Sequence, residues 1–452
     1  MDELLIKDVT IAVNALNAKK PIYDRLWDYY DGNHELMYSS GKLKEAFNGL
    51  NANFSLNWCE VVVNAVHERM ELVQFVATGD KQKTRALNDW WEESEMDLDA
   101  DDVELCALVT GEAFVIVWPE EDGVLGAYYN DSRLCHVFYE DDRPKQMRFA
   151  AKWWQAGSDL VRLTLYYPDK LFYFAAKTKK GGVLDGKSFK PLPDVVKGAD
   201  VYEVANPLQR VPVFRFQRER RAVKSELGPS TLNTQDAINK LLADMMVAAE
   251  FGALKQRYTI SQVDTSTLRG GPGTVISLAA GDGQGQDTSV GEFQETPLQN
   301  FLSPITSLST ALSKTTRTPQ YYFFLGARAD PSGESLYAMD GPLIKKTNLY
   351  IKRFTRQWKL LIRFVAEQMG IDIANGLEVQ YADPRTIQPF TQSQTRVQNT
   401  NAGIPLETQL KREGWSQMEL DQMRADKAAE KEAAQESLAV AMLNSQRRFD
   451  GE

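Results

Sequence analysis

The sequence predicts an α+β chain, with helices towards both ends and a block of strands between them. Three observations carry this. Apolar residues recur at intervals of three and four through residues 1–30. From Gly111 the period shortens to two over several short runs bounded by Asp, Gly or Pro. Beyond Gly228–Pro229 the helical interval returns.

Taken in order, Leu5, Val9, Val13 and Leu16 define the first helix, and Pro21 is expected to start a second, short one ending in Trp27-Asp-Tyr-Tyr30. Residues 57–76 read as an amphipathic helix through Val62, Val66, Met70 and Val73. Another is expected over 84–107. Its acidic run from Glu92 to Glu104 reads as a solvated face. The β-rich runs are 113–118, 126–129, 135–139, 147–150, 160–167, 170–174 and 211–216, an antiparallel meander. A polar loop is expected over 178–190.

Ser230 can cap a helix that places Ile238, Leu241, Leu242, Met245, Ala249 and Gly252 on one face. Residues 257–297 differ: strand-like pieces at 257–260 and 274–278 flank turns such as Ala280-Gly-Asp-Gly-Gln-Gly-Gln286. A helix over 298–315 follows, then the aromatic run Tyr321–Phe324. A long helix is expected over 334–369, with a kink or restart at Gly341–Pro342. Phe354, Trp358, Leu361 and Val365 form its apolar stripe, and Lys345, Lys352, Arg356, Lys359 and Arg363 lie on another face. After Gly376 come a strand at 377–381 and helices near Thr391, Leu406 and Ser416. The Ala/Glu/Lys-rich stretch 419–436 is helical by propensity.

Several functions are disfavoured. The 452 residues suffice for two or three domains, with no apolar run long enough to span a membrane, and no signal peptide is expected from the start Met1-Asp-Glu-Leu-Leu-Ile6. Cys59, Cys106 and Cys135 read as buried thiols. Gly270-Gly-Pro-Gly-Thr274 lacks the lysine and spacing of a phosphate loop. His34, His67 and His136 are scattered, and Ser332 and Ser335 lack a nucleophile-elbow context. No enzyme activity, metal or cofactor is expected. The net charge of −10 argues against tight DNA binding by the whole chain, since phosphate contacts need cations. It is compatible with surrounding DNA that slides. Two basic features stand out: Arg215, Arg218, Arg220, Arg221 and Lys224 after the last strand, and the stripe on the long helix. They either pair with the chain's many carboxylates or touch a phosphate backbone.

Glu226-Leu-Gly-Pro-Ser230 followed by Asp236-Ala-Ile-Asn-Lys-Leu-Leu-Ala-Asp-Met245 resembles the start of the first stem helix in portal proteins of tailed bacteriophages. Upstream, Asn206-Pro-Leu-Gln-Arg-Val-Pro-Val-Phe-Arg-Phe216 is similar as well. Ala329-Asp-Pro-Ser-Gly-Glu-Ser-Leu336 before a long helix looks like that family's tunnel loop and spine helix. Asn401-Ala-Gly-Ile-Pro-Leu-Glu-Thr408 and Trp27-Asp-Tyr-Tyr-Asp-Gly-Asn-His34 also fit, and the siphovirus-type branch is the nearest in pattern.

The resemblance implies a wing (1–228), stem helices (229–256 and 298–317) around a clip (257–297), a tunnel loop (318–335), a spine helix (336–370) and a C-terminal wing or crown (371–452). It implies a ring of about twelve copies at one capsid vertex, through which double-stranded DNA is packaged and ejected. The chain would be made in the host bacterial cytoplasm and end in the virion, with no membrane role. Arg317, Gly326, Arg328, Asp330, Ser332 and Gly333 would face the channel. Lys352, Arg356, Lys359 and Arg363 would line the lumen or meet a neighbouring subunit. Arg257, Asp282, Gln284 and Phe293 would belong to the clip surface that docks the terminase large subunit and the head–tail adaptor. Major capsid and scaffold proteins would meet the wing and crown. One physical argument stands beside the resemblance: a small strand-and-turn module between two helices has edges that a neighbouring copy can pair. The alternative is a capsid-assembly, scaffold or adaptor protein of a phage particle that encloses no DNA.

Overall fold

The computed structural model describes residues 3–34, 56–120, 123–178, 184–253, 257–260, 289–292, 296–323, 332–373, 376–385, 389–413, 415 and 417–449. Helix α1 (Glu3–Tyr30) and α2 (Trp58–His67) precede strand β1 (Leu72–Ala77), then α3 (Lys81–Glu93) and α4 (Met96–Thr110). Strands β2 (Glu112–Pro119), β3 (Leu125–Asn130), β4 (Cys135–Tyr139), β5 (Met147–Gln155), β6 (Leu160–Tyr166) and β7 (Lys170–Lys177) follow. Next come β8 (Lys190–Pro191), the single turn α5 (Leu192–Val195), β9 (Glu203–Ala205) and β10 (Val213–Gln217). Helix α6 (Pro229–Ala253), strands β11 (Arg257–Ile260) and β12 (Ser289–Glu292), α7 (Gln299–Thr316) and α8 (Gly333–Gln368) follow. Strand β13 (Leu377–Tyr381) and helices α9 (Pro389–Asn401), α10 (Leu406–Arg412) and α11 (Gln417–Phe449) complete the order. The chain forms two units, one of residues 1–24, 64–225 and 343–452, the other of 25–63 and 226–342.

In the first unit, β4 to β8 make an antiparallel sheet with β9 added to β7. Alternation decides its faces. Phe149, Ala151 and Trp153 on β5, with Leu163, Leu165, Phe174 and Ala176, bury against Leu5, Val9, Val13 and Leu16 of α1. Cys135, Val137 and Ala150 point the other way, onto Phe114, Ile116 and Val213. Those last three belong to a second sheet, β10–β2–β3, separate from the meander that the sequence suggested. Strand β2 lies between two partners and is apolar and buried from Ala113 to Val117. Over this sheet lies α8, whose stripe Phe354, Trp358, Leu361 and Val365 is fully buried, with the Trp358 ring 4.2 Å from that of Phe216.

Four local expectations change. Helix α1 runs through Pro21, because its apolar stripe stays in phase and buries Leu16 and Tyr23 on either side of the proline. The helix expected over 57–76 stops at His67. Residues 72–77 instead pair as β1 with β13, far along the chain. The helix expected over 84–107 breaks at Glu95, which takes a left-handed conformation (φ 53°) and lets Met96 turn inward. Helix α8 continues through Gly341–Pro342; the carbonyl that the proline leaves unpaired is that of exposed Ala338, where water can reach it.

The second unit is built around α6, which packs along α7. Among the described side chains of the expected apolar face, only Ile238 is fully buried. Polar residues take the inner side instead. Tyr29 Oη donates to both carboxylate oxygens of Asp236 (2.7 and 2.9 Å). Gln235 Oε1 accepts from Trp58 N (3.0 Å), and Asn239 meets the His34 ring at 2.9 Å. Between the two helices β11 and β12 pair antiparallel, Arg257 opposite Glu292. The expected strand at 274–278 lies outside the described residues.

Candidate functional site

The site is assembled around the end of β10. Arg215 points inward to Glu112, a fully buried carboxylate, at 2.5–2.6 Å. Lys19 Nζ and Tyr23 Oη reach the other Glu112 oxygen, each at 2.6 Å. Burial opposes ionisation of Glu112, yet Arg215 and Lys19 together hold its carboxyl below the usual range. The same burial pushes Lys19 down, and burial with the neighbouring Lys19 charge pushes His136 down to about 4.

Beyond β10 the chain folds back. Arg218 Nε donates to Lys224 O (2.6 Å), its guanidinium also meets Tyr350 Oη, and Arg353 donates to Arg218 O (2.5 Å). Gly111 makes this possible. It has φ 98°, and a Cβ there would meet the Lys224 backbone at 2.7 Å.

This turn and α8 enclose a cleft of about 1030 Å³. Helix α8 contributes Arg353, Arg356, Leu360, Arg363, Phe364 and Glu367, a spacing that puts all six on one side of a helix. The opposing wall adds Lys145, Arg210, Arg220 and Arg221, over a floor that includes Val211 and Phe214. The Phe214 and Phe364 rings lie 5.3 Å apart, and Leu360 is 49% exposed. Glu367 is the acid of the lining, and Arg210 engages it at 3.0 and 3.2 Å. Among the described residues, no carboxylate lies within ion-pair distance of Lys145, Arg220, Arg221, Arg356 or Arg363. Guanidinium groups in this setting bind carboxylate or phosphate through paired hydrogen bonds.

The two basic features of the sequence therefore meet, in part. Arg215 and Arg218 are taken up within the fold. Arg220, Arg221, Arg356 and Arg363 face the cleft, whereas Lys352 is exposed and Lys359 half-buried away from it. Arg210 and Arg353 were not singled out, although Arg353 precedes Arg356 by three and Arg363 by ten, on the same helical face. Arg317 is exposed and left-handed (φ 58°) at the end of α7. Ser332 and Gly333 open α8, where Ser332 Oγ accepts from Ser335 N (3.4 Å). Gly326, Arg328, Asp330, Asp282, Gln284 and Phe293 lie outside the described residues. Of Arg257, the backbone alone is placed, in β11.

The acids of the run are solvated, apart from half-buried Asp99, which accepts from Tyr129 N (3.1 Å), and Glu104, which is buried and accepts from Trp358 Nε1 (3.0 Å) and Tyr381 Oη (2.5 Å). Burial raises its carboxyl to about 7, with those two donors pulling the other way. The helical period of the run masked this one inward position. The histidines are engaged in structure: besides His34, His67 pairs with Asp101 (3.1 Å) and His136 with Lys19 (2.9 Å). Tyr321 stacks on Tyr322 (4.8 Å), and Phe323 meets the Trp58 edge (5.4 Å). Among the described residues, no group of three or more His, Cys, Asp or Glu could hold a metal ion, and no helix is long and apolar enough to cross a membrane.

No curated protein matches the chain. Among solved structures, a chain from the virion of a native gene transfer agent particle is similar over 76% of this chain and 85% of that one, at 10% identity and a TM-score of 0.43. The family model for phage portal proteins of the SPP1 Gp6-like type matches residues 12–435, taking in nearly all of both units. The chain belongs to the SPP1 Gp6-like phage portal protein family.

Proposed function

We propose that the chain is the ring-forming subunit of a phage portal, the channel at one capsid vertex through which double-stranded DNA is packaged and later ejected. Family membership through residues 12–435 is the observation that carries this reading. In it, α6 and α7 are the stem, and β11 with β12 belongs to the clip. About twelve copies close the ring by heterologous contacts. Among the described residues of this region, the two-stranded pair of four residues per strand is marginal alone, which supports its completion by neighbouring copies.

The role is mechanical and not enzymatic. A net charge of −10 per subunit suits a wall along which DNA slides, since a densely cationic wall would hold each phosphate it met. Arg317 and the 326–333 segment face the channel. The clip docks the terminase large subunit during packaging and the head–tail adaptor afterwards, and the wing and crown meet capsid and scaffold proteins.

Deleting Gly326–Gly333 tests the channel assignment. Rings are expected to form normally while the resulting heads stay empty or lose their DNA. Heads filled to the normal level would remove the segment from the channel.

A further inference from the structure

The cleft between β10 and α8 holds five cations without an ion-pair partner among the described residues, in a chain that is acidic overall. Its floor is apolar. An occupant must bring several negative charges and something apolar to bury. A phosphodiester backbone brings only the first, because it has no apolar side group to lay on Phe214, Leu360 and Phe364.

The chain itself carries a surface with both properties. Where α3 gives way to α4, Glu92, Glu93, Glu95, Asp97, Asp101 and Asp102 are exposed around Leu98, which at 72% is the most exposed large apolar side chain among the described residues. Among the described residues, no cation pairs with Glu92, Glu93, Glu95, Asp97 or Asp102. Burial, together with the carboxylates of Asp99 and Asp101, holds Asp102 above the usual range. The helix dipole accounts for Asp97 and Asp99 in the first turn of α4. It accounts neither for the acids on α3 nor for a leucine standing out among them.

The knob cannot fill its own cleft. The far end of α4 adjoins Gly111, whose carbonyl accepts from Arg218 in the turn that walls the cleft. At about 1.5 Å per residue the helix holds the knob about 20 Å from that end.

We propose that the Leu98 knob of one copy inserts into the Arg356–Arg363 cleft of the next. Leu98 lies on Leu360 and Phe364, and the surrounding carboxylates meet the guanidinium groups. The contact joins two different patches, so it is heterologous and propagates around an axis. It rests on the ring reading above and names one interface of that ring.

Charge reversal tests it, read by sedimentation of the full chain. Arg356→Glu with Arg363→Glu, or Asp97→Lys with Asp102→Lys, is expected to weaken assembly about tenfold or more. All four substitutions together are expected to restore it. Cross-linking supplies a readout that does not depend on weakened assembly. The native thiols Cys59, Cys106 and Cys135 are buried, so oxidation of a chain with Leu98→Cys and Leu360→Cys should give a ladder of disulfide-linked copies. A wild-type chain that stays monomeric overturns the ring reading and this contact with it. Wild-type rings whose charge-reversed variants assemble equally, or whose paired cysteines give no ladder, overturn the contact alone. So do arginine variants that still form rings but lose binding to a short DNA duplex, which would assign the cleft to phosphate.

Discussion

Trp358 Nε1 donates a 3.0 Å hydrogen bond to Glu104 Oε1, and both side chains are buried. Tyr381 Oη donates to the same oxygen, so one carboxyl ties α4, α8 and β13 together. Helix α8 is thereby fixed in rotation, with its apolar stripe on β10 and its arginine face on the cleft.

The Glu104 carboxyl should make stability depend on pH near neutrality. It ionises at about 7 in the fold, against an ordinary value of 4.5. Between these values the folded chain keeps a proton that the unfolded chain has lost. Stability from this site is therefore complete below the lower value and is lost as pH rises through the upper one, by on the order of 3 kcal/mol. Glu104→Gln keeps the acceptor oxygen and cannot ionise. Its melting temperature should exceed that of wild type at pH 8 and approach it at pH 5, and a variant that melts lower at pH 8 contradicts the assignment.

The Glu112 site has the opposite sign. Its carboxyl is held below the ordinary value, so its contribution is present at neutral pH and lost as acid protonates it. Glu112→Gln leaves Arg215 and Lys19 without a full counter-charge, at a cost of about 3–5 kcal/mol at pH 7. Urea unfolding measures this. The gap to wild type should narrow only in acid below the ordinary carboxylate value of 4.5, as the wild-type carboxyl takes up its proton.

Gly111→Ala should destabilise by roughly 2 kcal/mol or more, through left-handed strain and a clash with the Lys224 backbone. The 218–224 turn should loosen with it. Amide exchange of the Arg218 N–H, which donates to Gly111 O at 3.2 Å, reports this directly. Unchanged protection there would show that the close approach is dispensable.

Much of this was legible where a signal is local and periodic. The stripe from Phe354 to Val365 and the strand begun at 147–150, which runs on to Gln155, were readable because each residue's neighbours in sequence share its environment. Pro21 and Pro342 misled, since a proline breaks a helix only where nothing else holds the two halves in line. Residues 72–77 misled because Leu72, Val73 and Val76 satisfy a helical period as well as a strand's. The ladder that decides the matter comes from Leu377–Tyr381. Glu104 was hidden by its acidic neighbours, and its donors, Trp358 and Tyr381, arrive from more than 250 residues away. The cleft was half visible. Arg356 and Arg363 were marked by helical spacing, but their facing Arg220 and Arg221 depend on a turn that Gly111 permits.

The portal account depends on closure of copies around an axis. Electron microscopy of the purified full-length chain, with native mass spectrometry to count subunits, tests this most directly. The account predicts closed rings of one subunit number, seen end-on with a central opening wide enough for a DNA duplex. A population of monomers, open filaments or closed shells would contradict it.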